Sequence, residues 1–253
     1  MQQRLLEKCM SLTRNLSAVL FLSFSVSLSA QMAAAEDNLK DLGDPLREIN
    51  VVVFRFNEAL DKAIAKPIAQ TYKGVVPKRM RWGVENFFSN IGELQNVLNG
   101  LMQGKFYQVA NDSGRFLINS SMGMVGLFDV ATRMGLRESD GEDFGQTLAT
   151  WGVPQGPYLV LPLMGPSTLR ELPARLVDRW VGLSEHVDDV AARNALLGLD
   201  LVDMRARLLD AEASLSGDRY TLMKEIYLQR REFLINDGVV EDDFGDFGEY
   251  DDY

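Results

Sequence analysis

The sequence predicts an all-α protein, a single domain of amphipathic helices preceded by a cleaved export leader and followed by an acidic tail. Three observations predict it. Apolar residues recur at intervals of three and four along most of the chain, the spacing of one helical face. Alternating β-branched runs of any length are missing after the leader. Glycine and proline, which interrupt helices, are concentrated in one stretch: eight of the 21 glycines, with Pro154, Pro157 and Pro162, fall between residues 123 and 165.

Residues 1–35 read as a signal peptide. Arg4, Lys8 and Arg14 form the basic leader, 16–28 is apolar, and Ala33-Ala34-Ala35 fits the small-residue rule of a signal peptidase, placing cleavage between Ala35 and Glu36. The competing reading is an uncleaved anchor, but the apolar run is short for a bilayer span and is thinned by serines. Residues 36–43 form a linker. Cys9 is the single cysteine and lies inside the leader, behind Leu6-Glu7-Lys8, which does not fit a lipobox. The mature chain therefore forms no disulfide.

Within the domain, 44–236, the first helix spans 44–65. Leu46, Ile49, Val52, Val53, Phe56, Leu60 and Ile64 share one face, Asp44 is placed to cap it, Pro45 occupies its first position, and Pro67 ends it. A second begins at Pro77 and carries Phe87, Phe88, Ile91, Leu94, Val97, Leu98 and Leu101 before Gly104 stops it. A third, 106–120, sets Phe106, Val109, Ala110, Phe116 and Leu117 on one side, with Asn111, Asp112 and Arg115 elsewhere. The glycine-rich stretch admits only short helices at 127–134 and 144–151, then an irregular apolar segment, 158–164. Helices resume at 172–183, 190–215 and 218–235.

The net charge of −10 is uneven: residues 237–253 hold eight acidic and no basic side chains, so the body is close to neutral. Such a block is expected to stay solvated and disordered. Phe244, Phe247, Tyr250 and Tyr253 interleave it, which also suits docking to a basic partner. No basic stripe exists to neutralise phosphates, which excludes nucleic acid as a partner.

Enzymatic readings meet a shortage of reagents. The chain has one histidine, His186, and no thiol after the leader, so Cys–His catalysis and His- or Cys-rich metal sites are excluded. No Gly-x-Ser-x-Gly elbow accompanies His186, whose Ser-Glu-His-Val-Asp-Asp context suits an exposed or capping role. Phosphate-cradling glycine loops are also missing, and no cofactor is implied. Asp140, Glu142 and Asp143 flank Gly141 and read as a solvated turn. What abounds is apolar helical surface broken by glycine, the material of a lipid-facing protein or of an ordinary helical core.

The ordered motifs of the domain resemble one family, the VacJ or MlaA lipoproteins. Asp44-Pro45-Leu46-Arg47-Glu48-Ile49-Asn50 opens the pattern, and Phe54-Arg55-Phe56-Asn57, Pro67, Tyr72 and Asn86-Phe87-Phe88-Ser89-Asn90 continue it. Arg115 to Ser120, Gly123, Gly126 and Asp129 follow. Phe144-Gly145-Gln146, Gly156-Pro157-Tyr158, Leu161-Pro162 and Gly165-Pro166-Ser167 form its most distinctive part. The resemblance implies a ring of helices in the inner leaflet of an outer membrane, around an amphipathic channel that removes mislocalised phospholipids from the outer leaflet. It also implies a trimeric porin partner and a periplasmic lipid-carrier protein as recipient. Residues 119–129, with Asn119, Gly123 and Gly126, are then the candidate gate, Phe56 and Asn57 candidate lining, and Arg115 a candidate for the headgroup phosphate. The chain departs from the family at Ala35-Glu36, where a lipobox cysteine is expected; membrane residence then rests on amphipathic helices at the periplasmic face.

Overall fold

The computed structural model describes residues 44–182, 186–212 and 217–239. The leader, its Ala35–Glu36 junction, the linker and the tail beyond Val239 lie outside the described residues. Helix α1 (Arg47–Leu60) continues through a π turn (Asp61–Ala65) into α2 (Lys66–Val75), so Pro67 does not end the first helix as expected. A proline lacks an N–H and its ring crowds the carbonyl four residues back. The π turn just before it relaxes that constraint: Lys66 N–H reaches Asp61 O, five residues away, and the widened turn lets the helix pass.

Asp44 does not cap α1, which starts without a side-chain cap. Its carboxylate instead accepts from the Tyr220 hydroxyl at 2.6 Å and pairs with Lys224 at 3.4 Å, tying the start of the domain to its last helix. Helix α3 (Lys78–Gln103) follows Pro77 and stops at Gly104, whose φ of +79° is the left-handed cap glycine favours. Helix α4 (Phe106–Ser121) packs back against it.

Beyond α4 the chain makes a single 3-10 turn (Thr132–Met134), shorter than expected, and then α5 (Phe144–Thr150), capped by Asp143 accepting from Gln146 N–H. The segment expected to be irregular is a hairpin of β1 (Tyr158–Leu161) and β2 (Gly165–Thr168), with Tyr158 opposite Thr168 and Leu161 opposite Gly165. Tyr-Leu-Val-Leu suits a strand, and Leu163 and Gly165, both at positive φ, close the turn. Helices α6 (Glu171–Val181), α7 (Val190–Glu212) and α8 (Arg219–Ile235) complete the fold. Helix α7 lies on α2 and α3, and α8 on α5 and β2.

Burial is inverted relative to an ordinary helical domain. The largest fully buried side chains are Gln146, Glu93, Asn50, Thr147, Thr168, Asp112, Asp203 and Ser167. Buried apolar residues are few, and four of them are alanines: Ala69, Ala131, Ala174 and Ala206. A small aromatic cluster, Tyr158 and Tyr220 with Phe54 and Tyr227 against them, joins the hairpin to α1 and α8. Meanwhile Ile49, Val52, Phe56, Ile64, Phe106, Leu117, Leu176 and Trp180 are exposed. Periodicity fixes which residues share a face but not which face is inward. In α4 the stripe holding Phe106 and Leu117 looks outward, while Asp112, Arg115 and Asn119 are buried. Among the described residues no helix is long and apolar enough to cross a membrane.

Candidate functional site

The connection after α4 combines strain, exposed apolar side chains and a buried polar base. Asn119, in the last turns of α4, organises it. Its Oδ1 accepts from Val130 and Ala131 N–H at 2.8 and 2.9 Å, its Nδ2 donates to Asp129 Oδ1 at 3.2 Å, and its carbonyl accepts from Gly126 N–H at 2.8 Å. The loop so closed carries Met124, Val125 and Gly126 at φ of 52°, 60° and 89°. Left-handed backbone is costly for a β-branched residue such as Val125, and strain of this kind persists only where surroundings enforce it. Met122, Met124, Val125, Leu127 and Phe128 are all exposed around it.

Gly123 and Gly126 serve this loop by having no side chain. Both are buried; a Cβ on Gly123 would lie 2.2 Å from Phe128 O, and one on Gly126 2.7 Å from Asn90 Cβ. Helix α3 holds the loop from below: Asn86 Nδ2 donates to Leu127 O at 3.3 Å, and Asn90 Nδ2 to Ser120 Oγ at 2.9 Å. Phe87 stacks edge-on against Phe88 beside them.

Arg115, expected to meet a phosphate, is instead buried and committed. Its Nε donates to Glu93 Oε1 at 2.6 Å and its Nη1 to Thr132 Oγ1 at 2.8 Å, with Asp129 at 3.6 Å. A guanidinium so surrounded joins α3, α4 and the 3-10 turn. Burial pushes the Glu93 carboxyl up despite Arg115, and Asp129, with Thr132 and Arg115 outweighing its burial, is held low. The structure thus gathers Arg115, Asn119, Gly123 and Gly126 into one assembly.

Phe56 and Asn57 belong to a second assembly, the seam between α1 and the hairpin. Asn50 Nδ2 donates to Tyr158 O, and its Oδ1 accepts from Val160 N–H, both at 2.9 Å. Two turns on, Asn57 repeats the pattern with Leu161 O at 2.9 Å and Leu163 N–H at 2.8 Å. The two amides replace a third strand along the open edge of β1. Phe56, next to Asn57 in the chain, is 51% exposed. Pro45 and Pro162 are exposed at the turns flanking the seam.

The remaining motif residues hold the centre. Phe144 stacks edge-on against Trp151, and its N–H donates to Asp178 at 3.0 Å. A Cβ on Gly145 would lie 2.5 Å from the Glu171 carboxylate, and one on Gly156, at φ +69°, 2.9 Å from Leu169 Cβ. Pro157 O accepts from Leu169 N–H at 3.1 Å, carrying the hairpin pairing one residue past Tyr158. Arg231 donates to Asp143 at 2.5 Å and to Glu171 at 2.8 Å. Burial would raise Asp143, but the Arg231 guanidinium more than offsets it and holds the carboxyl low. The acidic turn is therefore not uniformly solvated: Asp140 is exposed, whereas Glu142 is buried and accepts from Gln103 at 2.8 Å and Lys105 at 2.9 Å. His186 is exposed, its Nδ1 3.1 Å from Gly182 O.

Of the polar stripe of α3, the sequence motif names Asn86 and Asn90, but Glu93, Asn96 and Asn99, and the stripe they form together, were missed. Its signal was there, because residues 82–103 contain no lysine or arginine. A polar helical face made of amides and carboxylates alone fits an interior hydrogen-bonding role better than a solvated one.

Residues 42–234 match the family model described as MlaA lipoprotein. An Escherichia coli K12 protein named intermembrane phospholipid transport system lipoprotein MlaA is 32% identical over 225 residues, covering 87% of this chain and 89% of that protein. A Haemophilus influenzae protein of the same name is 30% identical, covering 79% of this chain and 82% of its own length. An uncharacterised Rickettsia prowazekii protein is 37% identical over 145 residues, 57% of each chain. A solved structure, from work on the structural basis for maintenance of bacterial outer membrane lipid asymmetry, superposes with a TM-score of 0.68 at 32% identity, covering 77% of this chain and all of that one. Helical fold, ordered motifs and full-domain similarity agree: the chain belongs to the MlaA lipoprotein family.

Proposed function

We propose that this protein removes mislocalised phospholipids from the outer leaflet of an outer membrane, conducts them through a passage enclosed by its helices, and hands them to a periplasmic lipid-carrier protein. The observation that carries this reading is the inverted burial. Polar side chains make up most of the buried interior, and large apolar side chains lie on the outside, the arrangement expected where the surrounding solvent is hydrocarbon. The names borne by the relatives supply the cargo class.

Moving a two-chain phospholipid through water exposes roughly thirty methylenes and costs about 25 kcal/mol, at about 0.8 kcal/mol each. A protein removes most of that cost by offering an apolar wall to the tails and polar groups to the head. Shielding needs no nucleophile, so the reading is transport without hydrolysis. Net direction then follows from the lipid gradient or from tighter binding by the recipient. The strained 119–129 loop, with its exposed methionines and Phe128, acts as the gate, and Asn119, Gly123 and Gly126 hold its shape. Phe56 meets acyl chains; Asn57 and Arg115 keep the walls in place. A trimeric porin holds the protein at the periplasmic face, with the leader removed at Ala35 and the acidic tail facing water.

A second reading, a soluble periplasmic lipid-binding or scaffold protein, draws on Ala35-Glu36 where the family carries its acylated cysteine. The exposed apolar surface favours the membrane reading. Both are tested in cells lacking the gene. Outer-leaflet phospholipid and detergent sensitivity should rise, and re-expressed protein should fractionate with outer-membrane vesicles. Normal outer-leaflet composition in the deletion strain would remove the transport reading, and recovery in the periplasmic extract would favour the soluble one.

A further inference from the structure

A cavity of about 210 Å³ lies between the first half of α4, the 137–142 segment and the end of α8. Asp112 lines it and is wholly buried. Its Oδ1 accepts from Asn111 Nδ2 at 3.0 Å, but among the described residues its Oδ2 has no hydrogen-bond partner. Leaving a carboxylate oxygen buried and unmatched is costly. Glu142 beside it does not share the problem, since Lys105, Gln103 and Gln108 occupy its oxygens. Arg137 also lines the cavity. Its backbone is fixed by Asn111, which donates to Arg137 O at 2.8 Å and accepts from Arg137 N–H at 3.2 Å. Its exposed guanidinium makes no ion pair or hydrogen bond with any described residue.

We infer that this cavity binds the phosphoethanolamine end of a phospholipid, the ammonium donating to Asp112 Oδ2 and the phosphate meeting the Arg137 guanidinium. The inference rests on the transport reading and adds a headgroup preference to it. A primary ammonium has three N–H groups to offer, one for the unmatched oxygen and others for Glu138 or Asp140 nearby. A quaternary choline has none, and a glycerol headgroup brings no positive charge to offset Asp112. A divalent cation is a poor occupant, because the described residues contain no group of three or more carboxylates or histidines placed to hold a metal. The chain's own acidic tail is repelled by the same carboxylates. Burial pushes the Asp112 carboxyl up and Glu142 adds to it, Asn111 and the Arg115 guanidinium offsetting only part of the rise, and an entering cation would lower it further.

The test is calorimetric binding of dihexanoyl lipids, below their micelle concentration, to the full-length purified protein, with O-phosphoethanolamine and methylamine as head-only probes. Dihexanoyl phosphatidylethanolamine should bind at least tenfold tighter than the choline and glycerol lipids. Asp112→Asn should remove that preference, and Arg137→Ala should weaken phosphatidylethanolamine and O-phosphoethanolamine by about tenfold, the loss of one charge-assisted contact. Arg137 is exposed, so its variant reads out even if Asp112→Asn folds poorly. Equal affinity for all three lipids, or unchanged affinity in the folded Arg137→Ala protein, overturns the headgroup site while leaving transport standing. Methylamine binding as tightly as O-phosphoethanolamine shows a bare ammonium trap and also overturns it. No binding of any phospholipid sinks the transport reading together with the site.

Discussion

Arg115 and Glu93 illustrate how single side chains carry this molecule. Each is almost fully buried and each is the other's main partner, at 2.6 Å. Removing one leaves an uncompensated charge in a low dielectric, so Arg115→Ala should lower unfolding stability by about 3–5 kcal/mol. The double change Arg115→Met with Glu93→Gln should recover most of that loss in denaturant titrations; a mild effect of Arg115→Ala alone would show that water reaches the pair. Asp178 gives a pH signature. Burial, with Asp143 and Glu171 nearby, raises its carboxyl from 3.8 to about 6. The folded state then holds a proton that the unfolded state releases, so its contribution is greatest below pH 3.8 and is lost as pH rises to about 6. The full shift is worth about 3 kcal/mol, and partial exposure reduces it to about 1 kcal/mol. Asp178→Asn should flatten that slope in melts between pH 4 and 6.5, and an unchanged slope would remove Asp178 as its source.

At the scale of elements, the asparagines of α1 decide whether the hairpin stays docked. Asn57→Ala deletes one donor and one acceptor facing Leu161 and Leu163, costing about 1–3 kcal/mol. It should raise amide exchange at Leu163 well above that at Val160, whose N–H Asn50 still accepts; uniform exchange along the hairpin would show that the two amides do not act separately. Helices were legible in sequence because their apolar stripes are long: α3 and α4 fall within a residue or so of expectation, stopped by Gly104 and begun after Pro77. The hairpin was not, since four β-forming residues resemble any short apolar run and the partner that completes its edge is a pair of side chains 104 to 110 residues away. Pro67 misled because the π turn that accommodates it has no sequence signature. The resemblance singles out Arg115 but points it at a headgroup phosphate, whereas Glu93, Thr132 and Asp129 engage it inside the protein, and the periodicity that groups it with Asp112 is silent on which side faces in.

For the whole molecule, the decisive feature is that inversion: amides, carboxylates and guanidinium groups fill most of the interior, and many large apolar side chains are exposed. Family membership, an exposed apolar surface and a strained apolar loop lead to one account, in which the chain lowers the cost of moving a phospholipid by replacing its lipid surroundings along the way. Reconstitution tests this most directly. Purified full-length protein is placed in vesicles carrying a fluorescent phospholipid in one leaflet, with a soluble acceptor outside, and the rate at which label leaves is measured. The account predicts loss of label at least tenfold faster than from protein-free vesicles, slowed when Met124 and Phe128 are both replaced by aspartate. Equal rates with and without membrane-bound protein would contradict it.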